Sequence, residues 1–203
     1  MLPISFFATI VSVIQKFPIL FSALFLLLFA GCGTGSATPS VDPSLAFEGK
    51  AFTIGIPTNW EVFPDTVLAG KGVDFGARDA NGFGKIETVI AVTSEDIPNG
   101  APLDRFTTQS LENIRRRSQN FQKQSEEPLN LDGVPATLVR YTDRNVVDLS
   151  QLQFSSIFAV HNGKAFVAVL SMDYAKTESE KTKLEEILKS FRIKGTSPSP
   201  SSS

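Results

Sequence analysis

A thiol, an imidazole and two pairs of adjacent carboxylates are the groups in this chain whose types and spacing could do chemistry. The 203 residues contain one cysteine, Cys32, and one histidine, His161. A Ser-His-Asp site needs its histidine oriented by a carboxylate and set beside a nucleophile. Nothing around His161 offers either, and its place before Asn162-Gly163 predicts a solvated turn residue. Glu126-Glu127 and Glu185-Glu186 are neighbours in sequence, so their side chains point apart on a strand or helix. Neither pair makes a ready acid–base dyad, and both read as solvated faces. Asp79-Ala-Asn-Gly-Phe-Gly84 begins like a calcium loop, but an EF-hand needs an oxygen ligand at its fifth position and Glu at its twelfth. Phe83 and Ile90 occupy those positions, which leaves a turn. Gly70-Lys-Gly72 and Gly82-Phe-Gly-Lys85 lack the glycine spacing and the Lys-Ser/Thr of a phosphate loop. Arg115-Arg-Arg117 would fan across about 200° of a helix. That suits a solvated helix end, with contact to anionic lipid headgroups as the alternative. We therefore assign no catalytic residue, no metal ligand and no cofactor.

Cys32 is left, and its surroundings give it a different chemistry. Residues 17–31 run from Phe17 through Leu26-Leu-Leu-Phe29 to Ala30-Gly31, an apolar stretch behind Lys16 that ends in small residues. A positive charge, an apolar core of about 7–15 residues and small residues at the exit form a secretory signal. Phe29-Ala30-Gly31-Cys32 resembles the lipobox of bacterial lipoproteins, with Phe29 where that motif usually has Leu. The resemblance implies a diacylglycerol on the Cys32 thiol, cleavage on its N-terminal side and retention at the cell membrane on its extracytoplasmic face. An uncleaved anchor over residues 1–30 is the alternative; a spanning helix of about 20 apolar residues would carry Lys16 and Pro18 in its middle.

Setting residues 1–31 aside removes only one charge, Lys16, so the 19 basic residues fall to 18 against 21 acidic ones. Such a mild balance points to no nucleic-acid partner. A single cysteine at the anchor also excludes disulfides, a cysteine zinc site and a cysteine nucleophile in the domain behind it. Residues 32–44 are rich in Gly, Ser, Thr and Pro and read as a flexible tether. Residues 195–203 have the same character, leaving 45–194 as one folded domain.

Within that domain, Ala51–Ile56 alternates as a half-buried strand, Pro57–Trp60 reads as a turn, and Glu61–Phe63 resumes the strand. Val73–Ala77 and Lys85–Thr93 are further strands around an Asp79–Gly82 turn. Pro102 opens a helix with Leu103, Phe106, Ser110, Leu111 and Ile114 at helical spacing. Phe121–Leu131, Val134–Thr142, Leu149–Val160 and Lys164–Met172 form an antiparallel meander, turning at Asp132-Gly133 and at Asn162-Gly163. Thr177-Glu-Ser-Glu180 is a capping box for a last helix striped by Leu184, Ile187, Leu188 and Phe191. This order predicts an α+β domain, an antiparallel sheet sandwiched by helices.

Four stretches resemble the PsbP-like and Mog1-like superfamily: Phe52-Thr-Ile-Gly-Ile-Pro-Thr-Asn-Trp60, Leu131-Asp-Gly-Val-Pro-Ala136, the hairpin Phe158–Val167, and Ile187-Leu-Lys-Ser-Phe191. The resemblance spans 47–193 and implies an α-β-α sandwich in a group of accessory and binding proteins. All four stretches are structural, so they transfer a fold and no activity. The expectation is a lipid-anchored accessory protein, held to the membrane through Cys32, that binds an envelope protein partner or a small ligand. A hydrolase with a Ser or Thr nucleophile and a purely structural envelope protein are the alternatives.

Overall fold

The computed structural model describes residues 46–80, 87–98, 100–145 and 149–195. The lipobox residues Phe29, Ala30, Gly31 and Cys32, the tether, the tail and most of the Asp79–Gly84 turn lie outside these described residues. Among the described residues, ten strands and three helices follow in order. The strands are β1 (Ala46–Glu48), β2 (Phe52–Gly55), β3 (Trp60–Val62), β4 (Phe75–Asp79), β5 (Val89–Asp96), β6 (Gln122–Leu131), β7 (Val134–Arg144), β8 (Gln151–His161), β9 (Lys164–Asp173) and β10 (Arg192–Ile193). The helices are α1 (Asp65–Leu68), α2 (Leu103–Arg117) and α3 (Glu178–Lys189).

Seven strands form one antiparallel sheet in the order β3-β4-β5-β9-β8-β7-β6. The central strands β8 and β9 are buried along both faces, which explains their near-continuous apolar runs. Side chains alternate between two separate cores. On one face Ile90, Val92, Leu138, Ile157, Ala168, Leu170 and Met172 pack under α3 residues Leu184, Ile187 and Leu188. On the other, Ala91, Val139, Phe154, Phe158, Val167 and Val169 pack under α2 residues Phe106 and Ile114. Helices cover both faces of the sheet, so the α+β sandwich expected from the sequence is the fold.

Turn chemistry pins the meander. Asp132 and Gly133 have φ of 51° and 97°, and Asn162 and Gly163 have 48° and 73°. Two successive positive φ angles match the right-handed twist of the flanking strands, and Asx-Gly supplies them at low steric cost. Thr177 caps α3 as foreseen: its hydroxyl accepts the Glu180 N–H, and the Glu180 carboxylate accepts the Thr177 N–H in return.

Several boundaries differ from those expected. The strand expected at 73–77 starts at Phe75, the one expected from Lys85 starts at Val89, and the one expected from Leu149 starts at Gln151. Trp60–Val62 does not continue β2 in its own sheet. The Pro57 turn, closed by a 3.0 Å bond from the Trp60 N–H to the Pro57 carbonyl, hands the chain over to the large sheet, where Trp60 pairs with Asp79. β2 instead lies between β1 and β10 in a small three-stranded sheet. Two- and three-residue strands carry too few alternations for a period to register.

Candidate functional site

The densest polar cluster among the described residues sits where α3 crosses the sheet. Arg140 on β7 and Ser155 on β8 are register partners, so their side chains leave the same face, the one under α3. Glu185 projects from α3 onto that face. Arg140 clamps it with two parallel bonds, Nε to Oε1 and Nη2 to Oε2, each 2.6 Å. The Ser155 hydroxyl donates to Oε1 at 2.6 Å. The remaining guanidinium nitrogen, Nη1, donates to Ser125 Oγ at 3.2 Å and to the Glu127 carboxylate, both on β6. Ser155 is fully buried and Glu185 is 6% exposed.

The expectation that Glu185-Glu186 is a solvated pair is therefore corrected for Glu185. Its neighbours Leu184, Ile187 and Leu188 form the inner stripe of α3, and position 185 lies at the border of that stripe. A carboxylate there survives burial only with a partner, and Arg140 supplies it. Glu186 points outward to Lys189 at 3.1 Å, as a solvated residue does. The Glu127 side chain is half exposed and pairs with Arg140, while Glu126 pairs with Lys123 at 2.8 Å.

The electrostatics decide what this cluster can do. Burial works against the charged form of Glu185. The hydrogen bonds from Arg140 and Ser155, with the charges of Arg140 and Lys189, outweigh it and hold the carboxyl below the usual carboxylate range. Arg140 is correspondingly driven further into its protonated form by Glu185. A general base is effective when its pKa lies near the working pH; Glu185 is displaced in the opposite direction, and its oxygens are taken up by a guanidinium. Ser155 has a carboxylate within hydrogen-bond reach, but no solvent path and no free base. The cluster is an ion-pair clamp joining β6, β7, β8 and α3.

Asp143, also buried, is a second polar hub. Its carboxylate accepts the Asn120 N–H at 3.0 Å, the Arg144 N–H at 2.7 Å and the Ser118 hydroxyl. It thereby ties the segment after α2 to the end of β7. Nearby, Tyr141 stacks on Phe154 with ring centroids 5.0 Å apart, and burial pushes its phenol up, out of the range in which it ionises.

The other singled-out residues stay apart. His161 is the last residue of β8 and half-buried; it is not in the turn itself, and the Asn162 side-chain amide donates to its Nε2 at 2.9 Å. Gly70 and Gly72 take positive φ in the loop after α1. Arg115 and Arg116 are exposed at the end of α2, and Arg116 reaches Glu112 at 3.3 Å. Glu95, partly buried near the end of β5, has its pKa raised by burial. Among the described residues no group of three or more His, Cys, Asp or Glu side chains could hold a metal ion.

No protein-family model matches the chain, and neither does any curated sequence. Solved structures do. The chain is similar to cyanobacterial PsbP (CyanoP) from Synechocystis sp. PCC 6803, with a TM-score of 0.52 and 16% identity over 81% of this chain and 98% of that one. It also aligns with the Saccharomyces cerevisiae Ran-binding protein Mog1p, at a TM-score of 0.49 and 10% identity over 70% of this chain and 90% of Mog1p. LpqN, involved in cell envelope biogenesis of Mycobacterium tuberculosis, aligns at 0.49 and 16% over 75% and 86%. The architecture is that of the PsbP/Mog1-like sandwich. The likeness to CyanoP carries that statement, and at this identity it speaks for the fold alone.

Proposed function

We propose that this protein is a non-catalytic accessory protein, lipid-anchored through Cys32 on the extracytoplasmic face of a cell membrane, that binds a protein partner or a small ligand there. The observation that carries the reading is the run of apolar residues ending in Ala30-Gly31-Cys32, followed by a Gly/Ser/Thr/Pro tether. The closed state of the Arg140–Glu185–Ser155 cluster supports its non-catalytic part, because Ser155 is buried and the carboxylate it bonds is taken up by Arg140.

The test pairs fractionation with labelling. Cells fed radiolabelled palmitate should yield a labelled, membrane-bound protein, and Cys32→Ala should lose the label. A protein retained at the membrane without label in both forms refutes lipidation and favours the uncleaved anchor. Affinity capture from solubilised envelopes then asks for the partner. Turnover of an envelope ester or amide that is abolished by Ser155→Ala would overturn the non-catalytic reading in favour of the hydrolase.

A further inference from the structure

The domain begins with a short outer strand that a single side chain holds in place. β1 is three residues long, lies at the edge of the small sheet, and pairs Ala46 with Gly55, Phe47 with Ile54 and Glu48 with Thr53 of β2. Ala46 and Glu48 are exposed, so only Phe47 contributes burial, and that in part. Its ring centroid lies 4.4 Å from that of Phe75 and 5.9 Å from that of Phe52, against the core beneath α3. Glu48 meets Lys194 at 2.7 Å with both side chains exposed, a pair of little strength.

The surface under β1 is held far more firmly than β1 itself. Phe52, Ile54 and Phe75 are fully buried, and Phe52 packs on Phe191 beyond the end of α3 at 5.6 Å. On the side of β2 away from β1, the Gly55 N–H donates to Ser190 Oγ at 2.8 Å and the Ala51 carbonyl accepts the Lys194 N–H at 2.9 Å. Backbone groups alternate sides along a strand, so those of Phe52 and Ile54 face β1. The β1 register ends at Thr53, which leaves the Phe52 backbone past its reach. β2 therefore offers a strand edge longer than β1 uses, with an aromatic floor beside it and the Lys194 ammonium one residue further on.

We infer that β1 is a displaceable clasp, and that β2 with the Phe52–Phe75 floor accepts an extended segment of a partner protein as an added strand. The occupant is specified by the strand seated there: an aromatic residue on the floor, a small residue before it and a carboxylate after it for Lys194. A lipid surface or a small ligand would leave the β2 backbone groups without partners. A segment that also pairs with Phe52 gains bonds that β1 does not make, which offsets the advantage of a strand in the same chain. This acceptor rests on the partner-binding reading above and deepens it by fixing the form of the contact. It also couples binding to the anchor, because β1 follows the 32–44 tether in sequence. Release of residues 46–51 lengthens that tether by up to about 20 Å.

The probe is a fluorescein-labelled peptide with the sequence of residues 44–50, Ser-Leu-Ala-Phe-Glu-Gly-Lys, titrated with the detergent-solubilised full chain and read by anisotropy. Phe47→Ala in the chain withdraws the resident ring. That variant should bind the peptide about tenfold more tightly than the native chain does, and a peptide with Ala in place of its Phe should lose the gain. Lys194→Glu should weaken binding, and a peptide with Lys in place of its Glu should restore it. Equal affinity of the native and Phe47→Ala chains, or indifference to the peptide's Phe, overturns the acceptor. Hydrogen exchange on the native chain covers a variant that fails to fold: the Ile54 amide should exchange through local opening far faster than amides at the centres of β8 and β9, and protection equal to theirs overturns the clasp. Capture from solubilised envelopes separates the acceptor from the reading it rests on. A partner held by the chain and released by the peptide supports both, and a partner the peptide leaves in place overturns the acceptor alone. A native-chain dimer dissolved by the peptide makes a second copy the occupant and overturns a separate partner at this edge; capture of nothing by either chain overturns partner binding and the acceptor together.

Discussion

Removing Arg140 from beneath Glu185 should reverse the pH dependence of stability that this carboxylate contributes. In the native protein the folded-state pKa of Glu185 lies below its ordinary value, with Arg140 as the main opposing influence to burial. A depressed carboxyl pKa gives stability that is fully present above the unfolded value of about 4.3 and is lost as pH falls through the folded pKa. In Arg140→Met, burial, already the largest single influence on Glu185, meets only the Ser155 hydroxyl and Lys189. The folded pKa should then rise above the unfolded one. The sign changes: this group's contribution is fully present below about pH 4.3 and is lost as pH rises through the raised pKa. Breaking a buried pair by removing one partner costs about 3–5 kcal/mol. The Arg140 side chain is 24% exposed, so water partly re-solvates Glu185, and about 3 kcal/mol at neutral pH is the appropriate figure. For a domain of this size that lowers Tm by roughly 6–12 °C. Urea unfolding followed by circular dichroism at several pH values gives the free-energy loss and its pH dependence, and thermal melts give Tm. Arg140→Met with Glu185→Leu should recover most of the loss, because well-packed apolar side chains often replace a buried ion pair at little cost. A single-variant deficit that is the same at pH 4.5 and pH 8, or a double variant as unstable as the single, would refute the clamp.

Two further perturbations test packing and capping. A Cβ at Gly76 would meet Phe63 Cδ2 at 2.7 Å, so Gly76→Ala should cost about 1–3 kcal/mol through overpacking, with Phe63→Leu in the same chain restoring part of it; an unchanged urea midpoint would mean that Phe63 moves aside freely. Thr177→Ala removes the hydroxyl half of the α3 capping box and should cost about 1 kcal/mol, whereas Thr177→Ser should be close to neutral; equal losses in both would place the effect elsewhere than in the cap.

The parts of the fold that were legible in the sequence are those with a repeated signal. Val134 to Thr142 alternates over nine residues, and the structure sends Ala136 and Leu138 to one core and Val139 and Tyr141 to the other. The capping box and the Leu184, Ile187, Leu188 stripe gave α3 its start and its inner face, whereas Phe191, expected on the same stripe, is buried just past the helix end. The small sheet was not legible, because β1 and β10 span three and two residues, and β1 is held by tertiary contacts such as Phe47 with Phe75. Strand starts shifted for a related reason: residues such as Leu149 have strand-like side chains, and only the tertiary turn shows that their backbone is elsewhere. The ion-pair clamp was hidden for a different cause. Arg140 and Glu185 lie 45 residues apart, and a charged residue next to an apolar stripe reads as solvated until the register of two strands and the rotation of a helix are known. One signal did exist: Glu185 directly follows Leu184 and precedes Ile187, so it falls near the edge of the buried face, where an unpartnered carboxylate would be costly.

Two buried carboxylates and the edges of the large sheet are occupied or blunted among the described residues. Glu185 and Asp143 are saturated by donors, and the central strands are covered on both faces. The long edge strand β6 is blunted against strand addition by Pro128, by the charged Lys123, Glu126 and Glu127, and by the register shift between Lys123 and Ser125. The opposite edge, β3, offers only three residues. Neither an open carboxylate nor a long free strand is offered in these places.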